Sequence, residues 1–156
     1  MSISETLLAA GEDVWAAQKE HPFVVELAAG TLDESKFRHW IRQDYRYLLD
    51  YARVFALAGA RARDEETMTD LLGIAHSTLN VEMDLHREFA AEYGVSRQEL
   101  EATTKAPTCR AYTDFLIRTA YEGSLAEVAA ALYPCGRGFL DIGEHAARLA
   151  DGDHRY

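Results

Sequence analysis

Between Phe37 and Leu57 the apolar residues return every three or four positions: Phe37, Trp40, Ile41, Tyr45, Leu48, Leu49, Ala52, Phe55 and Leu57. That period describes one broad face of an α-helix and no strand. A helix with so wide an apolar face needs other elements to cover it. The same period runs through the rest of the chain, and no stretch alternates as a strand does. The fold class expected is all-α, a bundle of antiparallel helices. At 156 residues the chain suggests a single domain, long enough for a sizeable core.

Capping and breaking residues divide the pattern. A first helix is expected over 4–19, capped by Ser4, with Leu7, Leu8, Val14 and Trp15 on its apolar side. A second opens at His21-Pro22 and closes at Gly30, because proline suits the first helical position and glycine the position after the last turn. Asp33 caps the long aromatic helix. Asp64 or Thr67 caps a fourth helix, which carries Met68, Leu71, Leu72, Ile74, Leu79, Met83 and Phe89 and ends near Tyr93-Gly94. Ser96-Arg97-Gln98-Glu99 is a capping-box pattern for a short helix. Pro107 closes a loop before a helix over 109–123. Ser124 caps the last helix, which runs to about Ala150 and stops at Asp151-Gly152-Asp153.

Bulk properties exclude several classes. A net charge of -10 opposes nucleic-acid binding, which needs clustered lysine and arginine. No apolar run approaches the roughly 20 residues of a membrane span. The first residues lack the basic and apolar regions of a signal peptide. Two cysteines, Cys109 and Cys135, make no disulfide framework. The expectation is a cytoplasmic protein with reduced thiols and no membrane partner.

Several residues could carry chemistry. Asp44, Tyr47 and Tyr51 are spaced to share one helix face. A carboxylate amid apolar residues must be paired or bind something. Tyrosines beside it could stack a flat ring and bond its edge. The plain alternative is that Asp44 pairs with Arg42 or Arg46 while the tyrosines cover the core. Glu82 with His86, and Asp141 with His145, are each four apart. Carboxylate–imidazole pairs bind metal in di-iron bundles, but there the pattern is Glu-x-x-His, which neither pair has. His21 could bind haem, yet its place at a helix start suits a structural role better.

The window Leu132-Tyr133-Pro134-Cys135-Gly136-Arg137-Gly138-Phe139 stands out within the last helix. Pro134 is expected to kink or interrupt the helix there, and the two glycines weaken the same turn. A site that must expose a thiol gains from this, and a purely structural helix does not. A small buried hydrophobe beside a kink is the alternative. Phe139 follows Cys135 by four, on the same face if the helix resumes.

Taken in order, these blocks resemble one family. His21-Pro22-Phe23-Val24-x-Glu26-Leu27-Ala28-x-Gly30-Thr31-Leu32 precedes Phe37-x-x-Trp40-x-x-Gln43-Asp44-Tyr45-x-Tyr47-Leu48-x-x-Tyr51. Then come Glu82-x-x-Leu85-His86, Tyr93-Gly94, Pro107-Thr108-x-x-Ala111-Tyr112, Pro134-Cys135 and Ile142-Gly143. The series is similar to the TenA-type thiaminase II family, the aminopyrimidine aminohydrolases, over nearly the whole chain.

The resemblance implies a haem-oxygenase-like helical fold without haem, metal or other cofactor. It implies hydrolysis of 4-amino-5-aminomethyl-2-methylpyrimidine to the hydroxymethyl pyrimidine and ammonia in thiamine salvage, with thiamine cleavage as a side activity. A homotetramer is implied as well. By the same resemblance Cys135 is the nucleophile and Tyr47 raises its nucleophilicity. Asp44 holds the aminopyrimidine edge, Tyr112 and Tyr51 line the pocket, and Phe139 stands where the family usually has a substrate-contacting tyrosine. The family continues into further helices, carrying another pocket tyrosine and a glutamate acid. The resemblance therefore implies that the last helices of the family are missing here, one thiaminase II-like domain over 1–156 being C-terminally short. Two other readings stay open: a di-iron oxidase on the same scaffold, using Glu82, His86, Asp141 and His145, and an inactive relative that binds a pyrimidine without turnover.

Overall fold

The structure is a computed structural model that describes residues 2–150. Among them are nine α-helices, one π-helical turn and no strand, as the periodicity requires. The chain divides into two compact units, one of residues 1–33 with 133–156 and one of residues 34–132. The expected stop at Asp151-Gly152-Asp153 lies outside the described residues.

In the first unit the expected single helix over 4–19 is two. Helix α1 spans Ile3–Ala10 and α2 spans Glu12–Lys19. The cap of α1 is Ser2, not Ser4. Its hydroxyl accepts the Glu5 N–H while Glu5 accepts the Ser2 N–H, a reciprocal box that Ser4 has no partner to build. Gly11 breaks the pair of helices at φ -122° and ψ 22°. Val14, expected on the apolar side, is 72% exposed. Helix α3, Pro22–Ala28, starts on its proline, and His21 caps it by accepting the Phe23 N–H on Nδ1 at 3.2 Å. The expected closing residue Gly30 has φ +67°, where side chains are disfavoured.

The second unit is built on α4, Glu34–Ala60. Helix α4 packs against α5 (Glu65–Ser77), the π-turn (Thr78–Glu82), α6 (Met83–Glu92), α7 (Arg97–Ala102) and α8 (Pro107–Glu122). Phe37, Ile41, Tyr45, Ala52 and Phe55 are buried as the period predicts. Phe37 meets Phe89 and Tyr93 at centroid distances of 5.7 and 4.6 Å, an aromatic cluster that fixes the α4 end against α6. Asp64 caps α5 through the Thr67 N–H at 2.8 Å. Ser96 and Glu99 form the expected box on α7. Helix α8 starts on Pro107 rather than after it, with proline again at the first position.

The expected fourth helix is interrupted by the π-turn, and its apolar residues divide. Met83 is fully buried, whereas Met68, Leu72, Ile74 and Leu79 are exposed. A π-turn inserts one residue per turn, so residues before and after it no longer share one face.

Helix α9, Leu125–Leu149, starts from a third box between Ser124 and Glu127. Of the kink or interruption expected at Pro134, the interruption does not occur: the helix runs on across it. One proline removes one backbone bond, and the many others of a 25-residue helix maintain it. Gly138 has a separate purpose. A Cβ there would lie 3.1 Å from Gln18 and 3.5 Å from Trp15, both on α2. No helix of the described residues is long and apolar enough to cross a membrane.

Candidate active site

Four of the six expected site residues gather in the second unit. Helix α4 turns Asp44, Tyr47 and Tyr51 to one side, because they follow each other by three and four. Helix α8 supplies Tyr112. The Tyr47 and Tyr112 rings lie nearly parallel, 5.9 Å apart at an interplanar angle of 5°. Tyr51 continues the row, 5.6 Å from Tyr47 and 4.9 Å from Phe55. Tyr47 is buried, and Tyr51 and Tyr112 are half-buried.

The register of α8 against α4 depends on Gln43, the residue before Asp44. Its Nε2 donates to the Thr104 carbonyl at 3.2 Å, and its Oε1 accepts the Ala106 N–H at 2.7 Å. Both bonds grip the segment that leads into α8. Lys105, between them, pairs with the buried carboxylate of Asp50 and donates to Thr113 Oγ1 at 2.9 Å. Asp50 also takes Arg53. These ties set where Tyr112 meets Tyr47.

Asp44 does not pair with Arg42 or Arg46, the plain alternative. Arg42 bonds Glu99 at 2.9 Å and Arg46 bonds the Glu101 carbonyl at 3.4 Å. The partner of Asp44 is His86, on α6, with Nδ1 3.5 Å from Oδ2. His86 Nε2 lies 2.9 Å from the Ile41 carbonyl. Burial pushes the Asp44 carboxyl up to about 7, and the nearby Glu82 charge adds to that. Burial also pushes the His86 imidazole down; its bond to Ile41 opposes the shift and Arg87 reinforces it. Burial likewise raises the Cys109 thiol, which meets the Gln43 carbonyl at 3.7 Å. A carboxyl that titrates near neutrality can hold a proton or release it within the ordinary working range.

Cys135 and Phe139 lie in the first unit, on α9. They follow each other by four on one helical face. Cys135 is half-buried and Phe139 is 55% exposed. On the same helix Arg137 pairs with Asp141 at 2.8 Å, a salt bridge one turn long. Among the described residues no three His, Cys, Asp or Glu side chains gather as a metal set.

Two contributors stand outside the sequence patterns. Spacing pairs His86 with Glu82, whereas its contacts are Asp44 and Ile41 on α4. Gln43 enters the sequence reading only as part of a motif; its position beside Asp44 is the available signal, since a polar side chain on a packed helix face seeks partners on the facing segment.

The TENA/THI-4/PQQC family pattern matches residues 8–154. The chain is 43% identical over 143 residues to a Halalkalibacterium halodurans protein named aminopyrimidine aminohydrolase, covering 92% of this chain and 64% of that protein. A Helicobacter pylori protein of the same name is 34% identical over 149 residues, 96% of this chain and 69% of its own length. Among solved structures, a TenA homologue protein from P. horikoshii OT3 superposes with a TM-score of 0.92 at 30% identity, covering 96% of this chain and 70% of that one. The chain thus spans between 64% and 70% of the length of these relatives.

Proposed function

The chain belongs to the TENA/THI-4/PQQC family, and we propose that it hydrolyses 4-amino-5-aminomethyl-2-methylpyrimidine to the 5-hydroxymethyl pyrimidine and ammonia, a step of thiamine salvage. One observation carries this reading: a nearly dry carboxyl, Asp44, shares a helix face with the parallel ring pair Tyr47–Tyr112. A flat ring stacks on aromatic faces. An amidine-like edge bonds a fixed carboxyl through charge assistance, and the bond strengthens as the ring gains positive character. The relatives named aminopyrimidine aminohydrolase support the substrate class.

In this reading Asp44 binds the aminopyrimidine edge, and Tyr112, Tyr51 and Phe139 line the ring's surroundings. Cys135 is the nucleophile and Tyr47 raises its nucleophilicity. The thiolate forms a bond to a ring carbon while a ring nitrogen takes up a proton. The ring's electrons then expel the exocyclic amine, which leaves as ammonia after gaining a proton. Water adds at the vacated exocyclic carbon and loses a proton, and as the ring nitrogen gives up the proton it gained, the carbon–sulfur bond breaks to return the thiolate. Water and substrate are consumed and alcohol and ammonia released, with no oxidant or cofactor in the balance. Cleavage of thiamine at the same exocyclic carbon is a side activity of the same steps. A cytoplasmic homotetramer is the assembly this reading carries with it.

The test is binding of the substrate's pyrimidine followed by titration calorimetry, with Asp44→Asn and Tyr112→Ala beside the parent protein. The reading expects binding that both variants weaken at least tenfold. No binding by the parent, or equal binding by all three, would refute it. A pyrimidine that binds without ammonia release would replace it with the inactive-relative reading.

A further inference from the structure

His86 meets α4 with both ring nitrogens. Nε2 stands 2.9 Å from the Ile41 carbonyl, and a carbonyl only accepts. Nε2 therefore carries the ring hydrogen, and in the neutral ring Nδ1 is the bare nitrogen. That bare nitrogen faces Asp44 Oδ2 at 3.5 Å. A lone pair against a carboxylate oxygen is repulsive; the contact is favourable only with a proton between the two atoms. The side chains of His86 and Asp44 are 9% and 13% exposed, so water does little to screen it.

We propose that His86 is the positioning residue of Asp44: anchored to Ile41, it fixes one carboxyl oxygen and shares one proton with it, leaving the other oxygen for the ligand's amino group. The ligand's identity rests on the aminopyrimidine reading; the pair itself does not. The neighbours favour a single shared proton. Glu82, on the π-turn, opposes a charge on Asp44. Arg87, on α6, opposes an imidazolium at His86. From α4, the Tyr45 ring stands 6.2 Å from the His86 ring, and Arg42 and Arg46 are engaged elsewhere. From α8, Cys109 faces Asp44 with a thiol that burial keeps protonated. When the bound ring gains positive character, the proton passes from Asp44 Oδ2 to His86 Nδ1. The carboxyl then becomes an anion without releasing a proton to solvent.

Two measurements test this. In the full chain labelled with ¹⁵N-histidine, the ring nitrogens of His86 are followed against pH by NMR. The proposal expects the Nε2–H form and a change in the His86 ring signals that follows the titration of Asp44 at about 7 and vanishes in Asp44→Asn. A His86 signal that Asp44→Asn leaves unchanged, or hydrogen on Nδ1 alone, overturns it. The second variant is His86→Gln, whose amide can still donate to Ile41 but cannot take up a proton. Its kcat/KM is expected to fall about tenfold per pH unit below about 7, where Asp44 is protonated with no base to take its proton, a limb that stands above the acid limb of the parent protein. A uniform loss with an unchanged pH profile marks a purely structural role and overturns the proposal. If His86→Gln does not fold, the NMR comparison decides. If the parent protein binds no aminopyrimidine, the functional reading falls while the NMR result still decides the pair.

Discussion

Replacing Asp44 with asparagine is expected to stabilise the protein, and increasingly so as pH rises. The Asp44 carboxyl titrates near about 7 in the fold, against about 3.9 in an unfolded chain. Across that window the folded protein holds a proton that the unfolded chain has released, so stability declines with rising pH. The slope is about 1.4 kcal/mol per pH unit, and the cost sums to roughly 4 kcal/mol by neutrality. Asparagine keeps the shape and does not titrate, so the variant is spared that cost. Between about pH 5 and about pH 7 the gap in favour of Asp44→Asn should widen by roughly 2 kcal/mol. For a chain of this size that is about 4–8 °C in Tm. Thermal unfolding of both proteins by calorimetry, at matched ionic strength and three pH values, reads the effect. A gap that stays constant with pH, or one that favours the parent protein more at pH 7 than at pH 5, would show that Asp44 is an ordinary solvated carboxylate.

Other perturbations test the supports of the same site. Glu82→Gln removes a charge that raises the Asp44 carboxyl; the pH at which Asp44 gives up its proton, followed by NMR, should move down, and an unmoved step would show that the two groups do not interact. Lys105→Met leaves the buried Asp50 with only Arg53. Chemical denaturation should register a loss of roughly 3 kcal/mol, at the low end for breaking a buried pair, and a loss below about 1 kcal/mol would place Asp50 in water. Gly94→Ala forces a side chain onto φ +68° and sets its Cβ 3.0 Å from Arg38 Nη2. It should cost about 1–2 kcal/mol by the same assay, and no change would mean the backbone there adjusts freely.

The parts of the fold that could be read in advance are those fixed by local rules. The face of α4 is visible because Phe37, Ile41, Tyr45 and Phe55 repeat at the helical period, and each is buried. Ser96 with Glu99, Pro107, and Gly94 at φ +68° mark ends of helices by chemistry within a few residues. What could not be read depends on partners distant in the chain. Asp50 lies on the buried face of α4 and is tolerated there because Lys105, on a later loop, reaches it. The π-turn at Thr78–Glu82 leaves no signature in residue type, yet it changes which residues of the fourth helical stretch face the core. Asp44 was legible as a residue in need of a partner. Its nearest arginines in sequence were the natural guess, and they are taken by Glu99 and Glu101, so His86 from α6 fills the place. The tyrosine row needed only the spacing of Tyr47 and Tyr51, while the addition of Tyr112 needed the Gln43 ties that set α8.

The central claim is a cysteine-nucleophile hydrolysis of an aminopyrimidine, and the measurement closest to it is ammonia release from 4-amino-5-aminomethyl-2-methylpyrimidine by the parent protein and by Cys135→Ala. The account predicts one hydroxymethyl pyrimidine formed for each ammonia, and a loss of turnover by orders of magnitude in the variant, which lacks the covalent nucleophile, with pyrimidine binding retained. Full turnover by Cys135→Ala, or no ammonia from a parent protein that binds the pyrimidine, would contradict it.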